Sequence, residues 1–140
     1  MAAPYDIELA GQLSDRAVEL SMLGDVEEAY GRLDAAAKLY HEAFEIGERA
    51  ADAVASLDAP EPDRSVYHRS GAALAAQAGK YEAAEKLIQR GLQGDPPFSI
   101  KTELEELLGD LPILRTTKVN LRNLPPSPRL WLVPNRRNHA

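Results

Sequence analysis

The chain has 140 residues, of which 44% are hydrophobic and only 6% aromatic, and it contains no cysteine. This length suits one domain with a modest core, and the lack of cysteine excludes disulfides and thiolate metal sites. No stretch approaches the roughly 18 apolar residues that a membrane span needs, and the start has no basic, apolar leader, so we expect a cytoplasmic protein.

The charge of the chain divides into an acidic body and a basic tail. Residues 1–114 hold 10 Lys/Arg and 22 Asp/Glu, a net charge of −12, whereas residues 115–140 hold six Lys/Arg and no acid, a net charge of +6. Such an asymmetry indicates that the two parts do different jobs or neutralise each other. The acidic body argues against nucleic acid as its ligand, because it would repel phosphates.

The first predicted helix covers residues 5–30, where apolar residues recur at spacings of three and four. It can end at Gly24 or at Gly31, and we favour Gly31 because a similar segment further along the chain has its turn at Gly79. The next apolar face is continuous over residues 33–57, which predicts a helix of about seven turns.

The prolines at 60 and 62 are predicted to end that helix. A third helix is predicted over 63–78 and a fourth over 81–93, with Gly79 in the turn between them. The small residues of the third helix, mostly Gly and Ala, allow a neighbouring backbone to come close.

The last predicted helix covers 100–109, with Ser99 as its N-cap. Beyond it the sequence changes character, because five of the ten prolines fall between Pro112 and Pro134. Proline interrupts helices, so residues 112–140 are predicted to form an extended basic tail. Residues 1–111 then form one helical domain.

Two stretches, 31–44 and 79–92, repeat each other. Both begin with glycine, and small residues sit where two helices would touch. This is the pattern of a stacked helix-pair array, in which each unit buries its apolar face against the next. The positions that are identical in the two copies are Gly31/Gly79, Ala35/Ala83, Ala36/Ala84, Lys38/Lys86 and Leu39/Leu87.

These residues resemble a tetratricopeptide repeat, in which small and bulky residues follow the inter-helix turn at fixed positions and a proline closes the unit. The second copy matches the pattern over more positions than the first. The matching residues are Gly79, Tyr81, Ala84, Ile88, Gly91 and Pro96 in the second copy and Gly31, Leu33, Ala36, Tyr40 and Ala43 in the first.

The resemblance implies an all-α fold, a short solenoid of about five helices in antiparallel hairpins. It also implies an adaptor that binds a partner protein or peptide on its concave face. By the family register, Arg69, Ala73 and Gln77 lie on the groove side of the third helix. A buried Arg or Gln is costly without a partner, so we expect these side chains to be exposed and available for binding.

The tail carries a second candidate interaction segment. Leu130, Trp131 and Val133 form a cluster that is too apolar to remain comfortably in water, and Arg122 and Arg129 lie upstream of Trp131. Tryptophan is a frequent interface anchor, and prolines reduce the entropy lost on docking. We expect this segment to dock on acidic helices of its own or a sister chain, or on an external acidic partner.

No pattern in the sequence indicates catalysis. His41, His68 and His139 lack the spacing of a metal site, and neither a nucleophile elbow nor a glycine-rich phosphate loop is present. We therefore expect no metal, no cofactor and no enzymatic activity.

Other charged surface residues give only weak indications of function. His41 and Glu45 are one helical turn apart, which predicts a weak surface pair, and Glu45, Glu48 and Asp52 form an acidic ridge that could hold a cation. The alternative function is a regulatory or antitoxin-like dimeric subunit whose basic tail contacts a partner or nucleic acid.

Overall fold

The computed structural model describes residues 4–117, and within this range the chain is all-helical, with five α-helices and no strand. The helices pack as two hairpins, α1 with α2 and α3 with α4, and α5 lies against α3 and α4. The predicted all-α class and the predicted number of helices are confirmed. The helices are α1 (Ile7–Ala29), α2 (Leu33–Asp52), α3 (Asp63–Gln77), α4 (Tyr81–Gln93) and α5 (Phe98–Thr117).

The two hairpin turns are built in the same way. Gly31 and Gly79 adopt φ values of +76° and +75°, a left-handed conformation that glycine enters at little cost. The next residues, Arg32 and Lys80, donate their backbone N–H to a carbonyl five residues earlier, at 2.9 and 2.8 Å. The first helix therefore ends at Ala29, just before the turn at Gly31 that was predicted, and it runs through Gly24 without a break.

Glycines allow α2 and α3 to cross closely. A Cβ on Gly71 would lie only 3.2 Å from the backbone oxygen of Gly47 on α2. The contact is tighter than most Cβ contacts, so the two backbones approach because neither residue has a side chain. Ala36 and Ala84, which we also expected at helix crossings, are buried, with 3% and 0% of their surface exposed.

The burial of Ala84 gives a prediction about the core. Ala84→Leu adds three carbons to a site that has no exposed surface, so it should overpack the α3–α4 hairpin and cost roughly 1–3 kcal/mol. Urea denaturation of the two chains would measure this difference. Ala37→Leu on the exposed side of α2 is the matched control, and an unchanged Ala84→Leu midpoint would contradict the packing of this hairpin.

The second helix is shorter than predicted, because it ends at Asp52 and not at residue 57. Residues 53–57 continue the apolar pattern, but the carbonyls of 53, 55 and 56 accept hydrogen bonds from residues outside this segment. The backbone N–H of Asp6 donates to the Ala53 oxygen at 2.8 Å, and Arg64 donates to the Ala55 and Ser56 oxygens. These donors replace the intrahelical ones.

The fifth helix is longer than predicted. It begins at Phe98, so Ser99 lies inside its first turn and not at the N-cap, and it continues through Pro112 to Thr117. An internal proline costs about 3 kcal/mol. Leu111 and Leu114, each only 3% exposed, offset this cost, since burying one leucine contributes about 1.5–3 kcal/mol. The first six residues of the predicted extended tail are therefore helical.

Candidate functional site

The predicted groove residues of α3 are not exposed. Arg69, Ala73 and Gln77 lie four residues apart on one face of the helix, as expected, but their exposed fractions are 9%, 3% and 7%. The polar members contact neighbouring helices. Ser21 on α1 donates from its hydroxyl to Gln77 Oε1 at 2.6 Å, and Arg69 Nη1 donates to Glu103 Oε2 on α5 at 3.2 Å.

The expectation that these side chains stand free for a partner is thus wrong. Polar groups can be buried at little net cost when they are hydrogen-bonded, and here α1 and α5 supply the partners. The Nε2 of Gln77 is buried without a hydrogen-bond partner among the described residues. In the structure, the face of α3 that the family register assigned to binding contacts α1 through Gln77 and α5 through Arg69.

A shallow pocket of about 340 Å³ lies beside Gln77 at the end of the molecule that carries the hairpin turns. Tyr40, Glu28 and Leu33 contribute to its lining. The Tyr40 hydroxyl is 2.7 Å from Asp25 Oδ1 and 3.1 Å from Glu28 Oε2, so it donates to carboxylates. Burial, followed by these carboxylates, raises the pKa of Tyr40, so its hydroxyl stays protonated and acts as a structural donor.

A buried arginine organises the opposite end of the molecule. Arg64, near the start of α3, is 1% exposed, and its guanidinium donates to three backbone oxygens. These are Ser56 at 3.1 Å, Ala55 at 3.1 Å and Arg90 at 2.9 Å. Carbonyls at and beyond helix C-termini lack intrahelical donors and carry partial negative charge, so one cation satisfies the ends of α2 and α4 together.

His68 lies one turn after Arg64 and is fully buried. Its Nδ1 is 2.7 Å from the Arg64 backbone oxygen, so this nitrogen carries the proton, and its Nε2 accepts from Arg90 Nε at 3.0 Å. Arg90 also pairs with Asp52 on α2 at 3.0 Å. Burial, and then the charges of Arg90 and Arg64, lower the pKa of His68 to about 4, so it is neutral at pH 7.

The acidic ridge does not form a metal centre in the part of the chain that the structure describes, where no group of three or more His, Cys, Asp and Glu side chains could hold an ion. Asp52 is engaged by Arg90. His41 and Glu45 form the expected surface pair, with 3.7 Å between Nε2 and Oε1 and both side chains about half exposed.

A group of exposed apolar side chains on α1 is one that the sequence pattern missed. Met22, Leu23, Val26 and Tyr30 lie on the outer face of α1 and its C-cap, and their exposed fractions range from 49% to 71%. At 100° per residue they fall within an arc of about 100°, opposite the face that packs on α2. We call these four residues the α1 outer stripe.

The apolar positions on which the first helix was predicted do not all face inward. Leu9 and Leu23 are among them, and they are 41% and 50% exposed. The signal that could have revealed the stripe is the four-residue spacing of Met22, Val26 and Tyr30, a second apolar series on the same helix.

A larger open pocket, of about 570 Å³, lies where the end of α5 meets α4. The Arg115 guanidinium stands 6.0 Å from the centre of the Tyr81 ring there. The charged residues that line this pocket are two acids and three bases, so the lining has a net charge of +1. These residues are Glu48, Glu82, Lys80, Lys86 and Arg115.

The predicted site residues of the tail, Arg122, Arg129, Leu130, Trp131 and Val133, lie outside the described residues. Comparisons with protein-family models, with curated proteins and with solved structures found no match. Among the helices of residues 4–117, none is long and apolar enough to cross a membrane.

Proposed function

We propose that this chain is a tetratricopeptide-repeat-like adaptor that binds a partner protein or peptide and carries out no chemistry. The observation that supports this proposal is the α1 outer stripe. Soluble proteins seldom leave several neighbouring large apolar side chains in water unless the patch is a contact surface. Here four occur on one face of α1 and its C-cap, at about half exposure or more.

The rest of the molecule is consistent with a binding role. Burial shifts the pKa values of Tyr40, Arg64 and His68, and these side chains are engaged in hydrogen bonds that hold helices together. A catalytic acid or base needs access to a substrate, which buried and bonded groups lack. The apolar stripe and the basic tail are the surfaces that we assign to the partner.

The charge around the stripe indicates the chemistry of that partner. Arg32 pairs with Glu27 and lies 4.8 Å from the centre of the Tyr30 ring at one end of the stripe. At the other end, Asp15 and Glu19 continue the outer face of α1. A segment with large apolar residues followed by basic ones would complement both parts.

Affinity capture from the native host would test this proposal. The tagged full chain should recover a partner that Val26→Lys loses by at least about tenfold, because a charge placed at the centre of an apolar contact costs 1.4 kcal/mol or more. Val26 is half exposed and lysine is a good helix former, so the variant should fold.

Gln89→Lys is the matched control, since it adds the same charge at an exposed position of α4. It should retain the partner. Equal recovery by all three chains would show that the stripe is not the binding surface.

A further inference from the structure

We propose that, when no partner is bound, the basic tail of this chain covers the α1 outer stripe, with the segment Leu130–Val133 on Met22, Leu23, Val26 and Tyr30. This inference rests on the proposed function, because it assigns the stripe a resting occupant that a partner must displace. Length, direction, charge and reach each support it.

The lengths match. Met22 and Tyr30 are eight residues apart on a helix, which is about 12 Å at 1.5 Å per residue. Four residues in an extended chain span about 13 Å. The tail sequence has one cluster of large apolar residues, Leu130-Trp-Leu-Val133, with prolines at 128 and 134 on either side of it. Prolines favour the extended conformation that such a fit requires.

The direction also fits. α1 and α5 both end on the side of the molecule that carries the hairpin turns, because α1 ends before Gly31 and Arg115, near the end of α5, lies against Tyr81 just after the Gly79 turn. A tail that leaves α5 there meets Tyr30 first and then follows α1 backwards towards Met22. Arg136 and Arg137, which follow the apolar cluster, then come beside Glu19 and Asp15.

Charge favours this occupant over a second copy of the helix. α1 holds six acids and one arginine, a net charge of −5, and residues 118–140 hold five bases and no acid, a net charge of +5. Asp25 and Glu28 face Tyr40 and Glu27 pairs with Arg32, so Asp15 and Glu19 are the acids that continue the stripe face. Two α1 helices facing each other would place −5 against −5. The open pocket at the end of α5 is nearer to the start of the tail, but its lining charge of +1 does not attract a basic segment.

The tail is long enough to reach the stripe. α3 contacts both α1 and α5, so the two outer helices are about 20 Å apart at two interaxial spacings. Trp131 follows Thr117 by 14 residues, which is up to about 46 Å of extended chain. The surplus leaves room for the path around the turns.

Trp131 is the only tryptophan, so its fluorescence reports directly on the tail. In the full chain at low salt we expect its emission to be blue-shifted relative to the urea-denatured chain. Val26→Lys should move the emission to the solvated wavelength, while Gln89→Lys should leave it unchanged. Solvated emission in the wild-type chain, or a blue shift that Val26→Lys does not alter, would overturn the proposal.

Engineered disulfides locate the contact, since the chain has no cysteine of its own. Val26→Cys combined with Leu132→Cys should oxidise to an intramolecular disulfide in the monomer, and Gln89→Cys with Leu132→Cys should not. A disulfide-linked dimer formed by Val26→Cys alone would instead show that a second copy covers the stripe.

These readouts are independent of partner capture. If the tail contact fails while Val26→Lys still loses the partner, the proposed function stands and the tail is not its competitor. If the tail contact holds and no partner depends on Val26, the tail is a permanent cap and the stripe is not a binding surface.

Discussion

Arg64→Met should destabilise the fold by about 3–5 kcal/mol, the largest effect that we expect from a single substitution in this chain. The guanidinium is 1% exposed and donates to three backbone oxygens, at residues 55, 56 and 90. Methionine fills a similar volume but donates nothing, so three buried carbonyls lose their partner, and each loss costs about 1–3 kcal/mol before relaxation.

Thermal melting followed by circular dichroism would show a fall of roughly 10 °C or more, given the usual conversion for a chain of this size. Arg64→Lys keeps the charge but has one nitrogen, so it should recover only part of the loss. Arg16→Met is the control, because Arg16 is exposed and its pair with Glu19 has a separation of 3.9 Å. If Arg64→Met has the same melting temperature as Arg16→Met, the buried arginine does not hold residues 55 and 56 and the end of α4 together.

The hairpins could be predicted because their signals are local. Gly31 and Gly79 each begin a repeated stretch, and each adopts the positive φ that a helix end followed by a tight turn requires. The fourth helix has the bounds that its sequence predicted, 81–93, since Lys80 precedes it and Gly94 follows it. Where turn residue, periodicity and small-residue spacing agree, a single sequence is sufficient.

The bounds of α2 and α5 could not be predicted because distant residues decide them. Residues 53–57 have a helical pattern, and only the positions of Asp6, much earlier in the chain, and Arg64, eight or more residues later, show why the carbonyls of 53, 55 and 56 leave the helix. A proline at position 112 predicts the end of a helix, and only the burial of Leu111 and Leu114 shows why α5 continues past it. In both cases tertiary contacts outweigh local preference.

The candidate site shows the same limit. The sequence placed Arg69 and Gln77 on one helical face, and the structure agrees with that placement. Exposure, however, depends on what lies opposite, and Glu103 and Ser21 are 34 and 56 residues away in sequence. The exposed stripe was missed for the converse reason, because an apolar series on a helix does not reveal which of two faces a neighbour covers.

His68 should make the stability of this protein fall as the pH drops from about 6.5 to about 4. Burial lowers the pKa of the folded imidazole to about 4, whereas the unfolded chain has the ordinary value of 6.5. Between these values the unfolded chain binds a proton that the folded chain excludes, so acid favours unfolding. The contribution is fully present above pH 6.5, and about 3 kcal/mol of it is lost by pH 4.

Urea denaturation at a series of pH values would measure this slope, and His68→Gln should remove it. Glutamine can still accept from Arg90 and does not titrate, so the variant should lose some stability at pH 7 but depend less on pH between 4 and 6.5. His41→Gln, the same substitution at a half-exposed histidine of α2, is the matched control. Equal slopes in the wild type and His68→Gln would mean that His68 accepts its second proton in the folded protein, and that the Arg64–His68–Arg90 arrangement tolerates the added charge.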